Sequence, residues 1–383
     1  MTDWFDQQGR VRAPARQATA GPGKRPRRSR SDAGPPLGKS RAAPPVYGAL
    51  DLGTNNCRLL LARPHGGSFK VVDAFSRIIR LGEGIYETRR LSEEAMSRTI
   101  DALGVCTDKL ARGNVSRARL IATEACRFAD NGDEFITRVH RETGLRLEVI
   151  SRETEAHLAV AGCSALLDPD CHTALVFDIG GGSSELMLVA INASDSADKQ
   201  SDRQMSHKIL AWTSLPVGVV ALAERYGGVD VGRDVFERMV ETVTEHLAPF
   251  RRDPVVAGAS DDRARMHFLG TSGTVTTIAG VHLNLRRYDR SKVDGCWLSS
   301  EEATRICDDL LAMGYEGRLR SPCIGRERAD LVLAGCAILE AITRSWRCER
   351  IRVADRGLRE GILSQLMHED GYRWGSHSRG ARK

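Results

Sequence analysis

From Val46 onward the chain alternates short apolar runs with longer stretches in which apolar residues recur every three or four positions. The runs Val46–Leu50, Arg58–Ala62 and Lys70–Phe75 are separated by Gly, Asn and Pro, and they predict three strands. Ser92 then opens a pattern with Ala95, Met96, Ile100 and Leu103, which predicts a helix reaching about Arg112. Ser92 is its expected N-cap, with Glu93 and Glu94 in the first turn. Strands at Arg119–Ala122 and Arg146–Ile150 and helices at Asp133–Glu142 and Glu153–Leu166 follow. A second set has strands at Thr173–Phe177, Leu186–Ile191, Met266–Leu269 and Arg350–Ala354. Its helices are expected at Asp230–Phe250, Thr274–Leu283, Ser299–Met313, Arg328–Trp346 and Leu358–Met367, with a polar loop at 192–207. Alternating strands and helices predict an α/β protein.

One internal repeat changes this picture. The segment Asp51-Leu52-Gly53-Thr54-Asn55-Asn56-Cys57-Arg58 aligns without gaps with Asp178-Ile179-Gly180-Gly181-Gly182-Ser183-Ser184-Glu185, 127 residues later. Each copy follows a strand ending in Asp and precedes another strand, so each predicts a β-hairpin with a tip of Gly and small polar residues. Two such copies point to two similar domains facing each other across a cleft. A tight hairpin turn needs Asn and Gly in any case, but the collinear duplication and the three consecutive glycines favour phosphate binding. Bare backbone N–H groups cradle phosphate oxygens, and glycine permits close approach. The Asp opening each tip suits Mg²⁺ or a metal-bound water. At the eighth position Arg58 can grip phosphate bidentately, whereas Glu185 would repel it unless a cation intervenes. The turns Gly270-Thr271-Ser272-Gly273-Thr274 and Ala354-Asp355-Arg356-Gly357 each follow a strand and open a helix, where an anion or an ordinary capped connection would fit equally well.

The chain has 383 residues, enough for two domains, with 41% apolar and 28% charged residues. The net charge of +6 is unevenly spread. Residues 1–45 hold ten Lys/Arg against three Asp and seven of the thirteen prolines, a net +7 that leaves −1 for the remainder. That composition predicts a disordered basic tail. Its Lys24–Arg30 cluster can hold a polyanion, although no aromatics interleave it as in a nucleic-acid platform. No apolar run suits a membrane span and no secretory signal is expected. The ten cysteines lack a Cys-x-x-Cys pair, which fits reduced thiols in a cytoplasmic protein without a zinc site.

Taken together, the motifs resemble the exopolyphosphatase / guanosine pentaphosphate phosphohydrolase (Ppx/GppA) family in its short form. The resembling segments are Asp51–Leu59, Ala122–Phe128, Ile150–Ala156, Asp178–Leu186, Ser214–Val220, Gly270–Thr277, Arg328–Ile342 and Asp355–Leu363, in family order across 47–367. The resemblance implies duplicated actin-like ATPase domains, expected at 46–170 and 171–370, with basic tails at 1–45 and 371–383. It implies Mg²⁺-dependent release of terminal phosphate, with Mn²⁺ as the alternative metal. By matching positions, Glu155 becomes the acid that activates water, Asp178 and Glu185 flank the metal and the water, and Arg127 contacts phosphate. Asp51 joins Asp178 and Glu185 as a metal ligand. Thr54, Asn55, Asn56, Cys57 and Arg58 form the first phosphate loop, Gly180, Gly181, Gly182, Ser183 and Ser184 the second, and Gly273 lies in the third turn. Departures from the usual pattern are Thr54-Asn55-Asn56 for Ser-Asn-Ser, Arg152 for Gly, Thr154 for Glu, and Glu124 for a small residue. A Glu124 facing the cleft would repel phosphate unless paired with Arg127.

The first functional expectation is an exopolyphosphatase acting on linear polyphosphate. The alternative is hydrolysis of guanosine pentaphosphate (pppGpp), for which no guanine-specific carboxylate can be placed. An actin-fold kinase and an idle regulator using the basic tail are the remaining readings. No membrane and no specific nucleic acid is expected as partner, and a homodimer is compatible with the sequence.

Overall fold

The computed structural model describes residues 43–191, 207–261 and 265–372. The basic segments 1–42 and 373–383 and nearly all of the polar loop lie outside the described residues. Among the described residues eleven strands form two sheets: β1 Val46–Leu52, β2 Asn56–His65, β3 Ser68–Ile78, β4 Val115–Ala122, β5 Glu148–Val149, β6 Thr173–Ile179, β7 Ser184–Ala190, β8 Ile209–Leu215, β9 Met266–Thr271, β10 Trp297–Ser299 and β11 Arg350–Ala354. The first sheet has the order β3-β2-β1-β4-β5. The second repeats it as β8-β7-β6-β9-β11 and adds β10 at its edge. In both, the first two strand pairs are antiparallel and the next two parallel.

The duplication extends to register. Asp51 pairs with Arg58 across β1 and β2, and Asp178 pairs with Glu185 across β6 and β7. β1 is buried on both faces because it is central. Alternation sends Val46, Leu50 and Leu52 into one core and Tyr47 and Ala49 into another.

Two helices lie where the halves meet. The helix Arg152–Cys163 buries Ala156, Ala159, Val160 and Cys163 with Ala174, Val176 and Met187 of the second sheet. The helix Leu358–Glu369 follows the second sheet in the chain but buries Ile362, Leu363, Leu366 and Met367 with Tyr47, Ala49 and Leu60 of the first. They cross backbone to backbone. A Cβ on Gly361 would stand 2.0 Å from the Leu158 carbonyl oxygen, and one on Gly162 would stand 1.9 Å from that of Gly357.

The helix Glu93–Arg112 begins as expected, with the Ser92 hydroxyl accepting from the Ala95 N–H at 3.2 Å. Elsewhere the boundaries shift. The helix expected over Arg328–Trp346 starts only at Val332, because Arg326–Arg328 form a 3₁₀ turn after Gly325 at φ +75°. The predicted helix Glu153–Leu166 ends at Cys163 and tightens into a 3₁₀ turn. β8, β10 and the helices Glu124–Phe128 and Val219–Tyr226 were not among the predicted elements. No described helix is long and apolar enough to cross a membrane.

Candidate active site

The two hairpin tips meet at the floor of a cleft of about 620 Å³. Each tip closes with the same bond, Gly53 N–H to the Asn56 carbonyl and Gly180 N–H to the Ser183 carbonyl, both 2.9 Å. Above the second tip, Val219 and Val220 N–H donate to the carbonyls of Gly180 and Gly181 at 3.0 and 2.8 Å. The Tyr86 hydroxyl donates to the Gly182 carbonyl at 2.7 Å. With those carbonyls tied back, the N–H groups of Gly181, Gly182 and Ser183 have no acceptor among the described residues, and neither do those of Thr54 and Asn55. This is the bare-donor concavity that anions bind. Side chains do not fit there: a Cβ on Gly182 would lie 2.7 Å from the Thr54 hydroxyl, and one on Gly181 3.2 Å from Asn55.

The third turn adds to the same wall. Ser272 holds φ +91°, in the region that favours glycine, and its buried hydroxyl has no partner. Beside it, a Cβ on Gly273 would stand 3.6 Å from Arg58 and 3.8 Å from Arg328.

Both signs of charge line the cleft. Its carboxylates are Asp51, Asp178, Glu185, Glu155 and Glu124, with Asp355 and Glu360 at the start of the last helix. Burial, and then the Glu185 charge, pushes the Asp178 carboxyl up to about 7. Burial followed by Glu185 also raises Glu155 well above the usual carboxylate range, against the pull of Arg127. Glu185 is raised by burial although Ser183 and Ser214 hydroxyls donate to it at 2.6 and 2.9 Å. Asp51 is raised by burial, with Arg58 and Arg359 opposing. Such a surplus of buried negative charge suits a divalent cation. Among the described residues no three His, Cys, Asp or Glu side chains form a metal cage. The donor set therefore fits Mg²⁺ held by one or two carboxylates and completed by water and substrate oxygens.

Arg127 orients two of these carboxylates. It donates to Glu155 at 3.1 Å, to the Ile150 carbonyl at 2.6 Å and to Glu124 at 2.7 Å. Glu124, only 4% exposed, is also gripped by Arg152 at 2.7 Å. Burial would raise its pKa, but the two arginines outweigh burial and hold it low. The unusual Glu124 and the unusual Arg152 thus neutralise each other.

Arg58, Arg328 and Arg359 line the same cleft without an ion pair among the described residues, and Arg58 stands opposite Asp51 in register. Burial holds Arg328 and Arg359 below the usual guanidinium range. Arg290, by contrast, is paired with Glu360 at 2.7 Å.

Most sequence-predicted site residues converge here, with three exceptions. Strand alternation turns Arg58 into the cleft and Cys57 into the core, where its sulfur lies 3.9 Å from that of Cys106. Ser184 spends its hydroxyl on the Val217 carbonyl at 2.7 Å. Neither lines the cavity. Arg127 reaches the site through Glu155 rather than lining the cavity itself. Arg328, Arg359, Ser272 and Tyr288 were not singled out, although Arg328 and Arg359 sit in segments that carried the resemblance.

Comparison with known proteins agrees with this architecture. Residues 60–370 match the Ppx/GppA phosphatase family, and the chain belongs to that family. It is 27% identical over 331 residues to "Exopolyphosphatase 2" of Mycobacterium tuberculosis, covering 83% of this chain and 97% of that protein. The crystal structure of the Aquifex aeolicus Ppx/GppA family member has a TM-score of 0.68 at 28% identity, covering 85% of this chain and 99% of that one. An exopolyphosphatase from Cytophaga hutchinsonii has a TM-score of 0.73 at 26% identity, over 86% and 100% of the two chains. The fold is the actin-like one of this phosphatase family.

Proposed function

We propose that this chain hydrolyses the terminal phosphoanhydride bond of linear polyphosphate and releases orthophosphate. The observation that carries this reading is one cleft that brings together buried carboxylates, arginines free of ion pairs and bare N–H loops. The terminal phosphate takes the Gly181–Ser183 donors, and the phosphates behind it take Arg58, Arg328 and Arg359. Glu155 accepts the proton of the attacking water, its raised pKa making it a stronger base than an ordinary carboxylate. The water oxygen bonds to phosphorus, the bridging P–O bond breaks, and its electron pair stays on the shortened chain. Arg127 fixes the Glu155 carboxylate through their hydrogen bond. When bound, Mg²⁺ or Mn²⁺ would neutralise phosphate oxygens, and one or two of Asp51, Asp178 and Glu185 would hold it. All ten cysteines are free, which fits a reducing compartment such as the cytoplasm.

A second reading, guanosine pentaphosphate hydrolysis, draws on Tyr288. This 40% exposed aromatic lines the same cleft, with its hydroxyl donating to Asp355 at 2.7 Å, and offers a face to a base.

The test is phosphate release by the purified full chain with Mg²⁺, from polyphosphate and guanosine pentaphosphate in parallel, without an acceptor alcohol. Release from polyphosphate and its loss by ~10²-fold or more in Glu155→Gln are expected. An unchanged rate in that variant would remove Glu155 as the base. Release that requires an acceptor would indicate a kinase.

A further inference from the structure

Three successive peptides carry the bare donors of the second tip, and their anchors differ in origin. In a trans peptide the carbonyl and the following N–H point opposite ways, so a group that holds the carbonyl back aims the N–H into the cleft. The Gly180 and Gly181 carbonyls are held by Val219 and Val220, at the start of the helix Val219–Tyr226 in the same half of the molecule. These two anchors aim the N–H groups of Gly181 and Gly182. The Gly182 carbonyl is held instead by the Tyr86 hydroxyl, which comes from the first half, and this bond aims the Ser183 N–H. Burial raises the Tyr86 phenol above its ordinary value, so it stays protonated and donates. Its ring packs on Phe128 at a centroid distance of 5.3 Å, in the short helix that carries Glu124 and Arg127. Two further bonds tie the segment 80–86 to the second half. The Gly84 N–H donates to Glu224 of the helix Val219–Tyr226 at 2.8 Å, and Arg80 pairs with Asp330 at 2.9 Å.

We infer that Tyr86 is a positioning residue, whose hydroxyl completes the phosphate cradle from the opposite half by aiming the Ser183 N–H. The inference rests on the reading of the second tip as the seat of the terminal phosphate. Without its anchor the Gly182–Ser183 peptide has glycine on one side and is free to rotate. A rotated peptide turns its carbonyl oxygen toward the phosphate, where an acceptor repels rather than binds. Losing one hydroxyl therefore removes a donor from the cradle without touching the substrate. The anchors at Val219 and Val220 belong to the second half and still hold two donors, enough to seat the phosphate. Donors count most where charge develops in the transition state, so the loss falls on turnover more than on KM.

The test compares wild type with Tyr86→Phe in the full chain, a change that keeps the ring beside Phe128. Inorganic phosphate is titrated with Mg²⁺ present, and the NMR amide signals of isotope-labelled Gly181, Gly182 and Ser183 are followed. In wild type all three are expected to move together. In the variant Gly181 and Gly182 should still respond, which also reports an intact fold, while the Ser183 response is lost. On tripolyphosphate kcat should fall roughly 10-fold with KM within about twofold, milder than the ~10²-fold or more of deleting a donor outright. Arg80→Gln/Glu224→Ala frees the segment but keeps the Tyr86 hydroxyl, and should weaken the Ser183 response in the same selective way. A uniform loss at all three amides, or a wild-type Ser183 response in Tyr86→Phe, would overturn the role. So would the absence of any response in wild type. Phosphate release tells the two readings apart. A wild type that releases nothing but shows the selective Ser183 loss in Tyr86→Phe refutes hydrolysis and leaves the cradle. An active Tyr86→Phe enzyme with wild-type kcat and Ser183 response refutes the positioning role and leaves hydrolysis.

Discussion

Asp178 has a carboxyl pushed up to about 7 by burial and then by Glu185, so the metal-free native state binds its proton far more tightly than the unfolded chain does. Stability from this group is therefore full at low pH and is lost as pH rises from about 4 through about 7. On the proposed mechanism catalysis needs the opposite, a charged Asp178 to help hold the cation. Melting temperature followed across that window should fall in wild type relative to Asp178→Asn, while kcat/KM of wild type with Mg²⁺ rises. Parallel melting curves in the two proteins would show that Asp178 titrates elsewhere. Residues of this kind were readable in the sequence because a carboxylate opening a Gly-rich tip has few other uses. The arginines were less readable. Whether a guanidinium is free or paired is a tertiary fact, and nothing local separates the unpaired Arg359 from the paired Arg290. Glu124 shows the same limit, since its harmless state depends on Arg152, 28 residues further on.

Elements with a one-sided apolar stripe or a clear cap were legible, as the helix Glu93–Arg112 shows. β8 was not, because most of this outer strand is only half-buried and carries no clean alternation. The start of the helix Val332–Trp346 was missed for the opposite reason. All but one of its residues are buried, so no polar face marks its limit. The helix crossing between the halves makes a sharper claim. Gly361→Ala would press a methyl against the Leu158 carbonyl oxygen and should cost about 1–3 kcal/mol through overpacking. Gly104→Ala has nothing within 4 Å and should instead stabilise by about 0.5–1 kcal/mol. Denaturant unfolding of both variants checks the pair. A Gly361→Ala protein as stable as wild type would mean that the helices separate freely.

For the molecule as a whole, the duplication was visible as two motifs 127 residues apart, and the two sheets repeat one strand order and one hairpin register. The return of the last helix to the first sheet was not visible, because chain order alone does not reveal a crossing. Removing residues 1–42 takes away a net charge of +7 and leaves every described residue of the cleft in the chain. Turnover on tripolyphosphate should survive this truncation. If the Lys24–Arg30 cluster captures long chains, KM for them rises and its salt dependence flattens. Identical salt slopes in the full and shortened chains would retire that role. The shared register has one further result. The same position in the two hairpins carries Arg58 in one and Glu185 in the other, so on the proposed reading a twofold-repeated scaffold has become a keyed socket that seats a chain end. A key needs a tip. Cyclic trimetaphosphate carries the same anhydride bonds but no terminus to present, and such a socket should leave the ring intact while linear tripolyphosphate is shortened unit by unit.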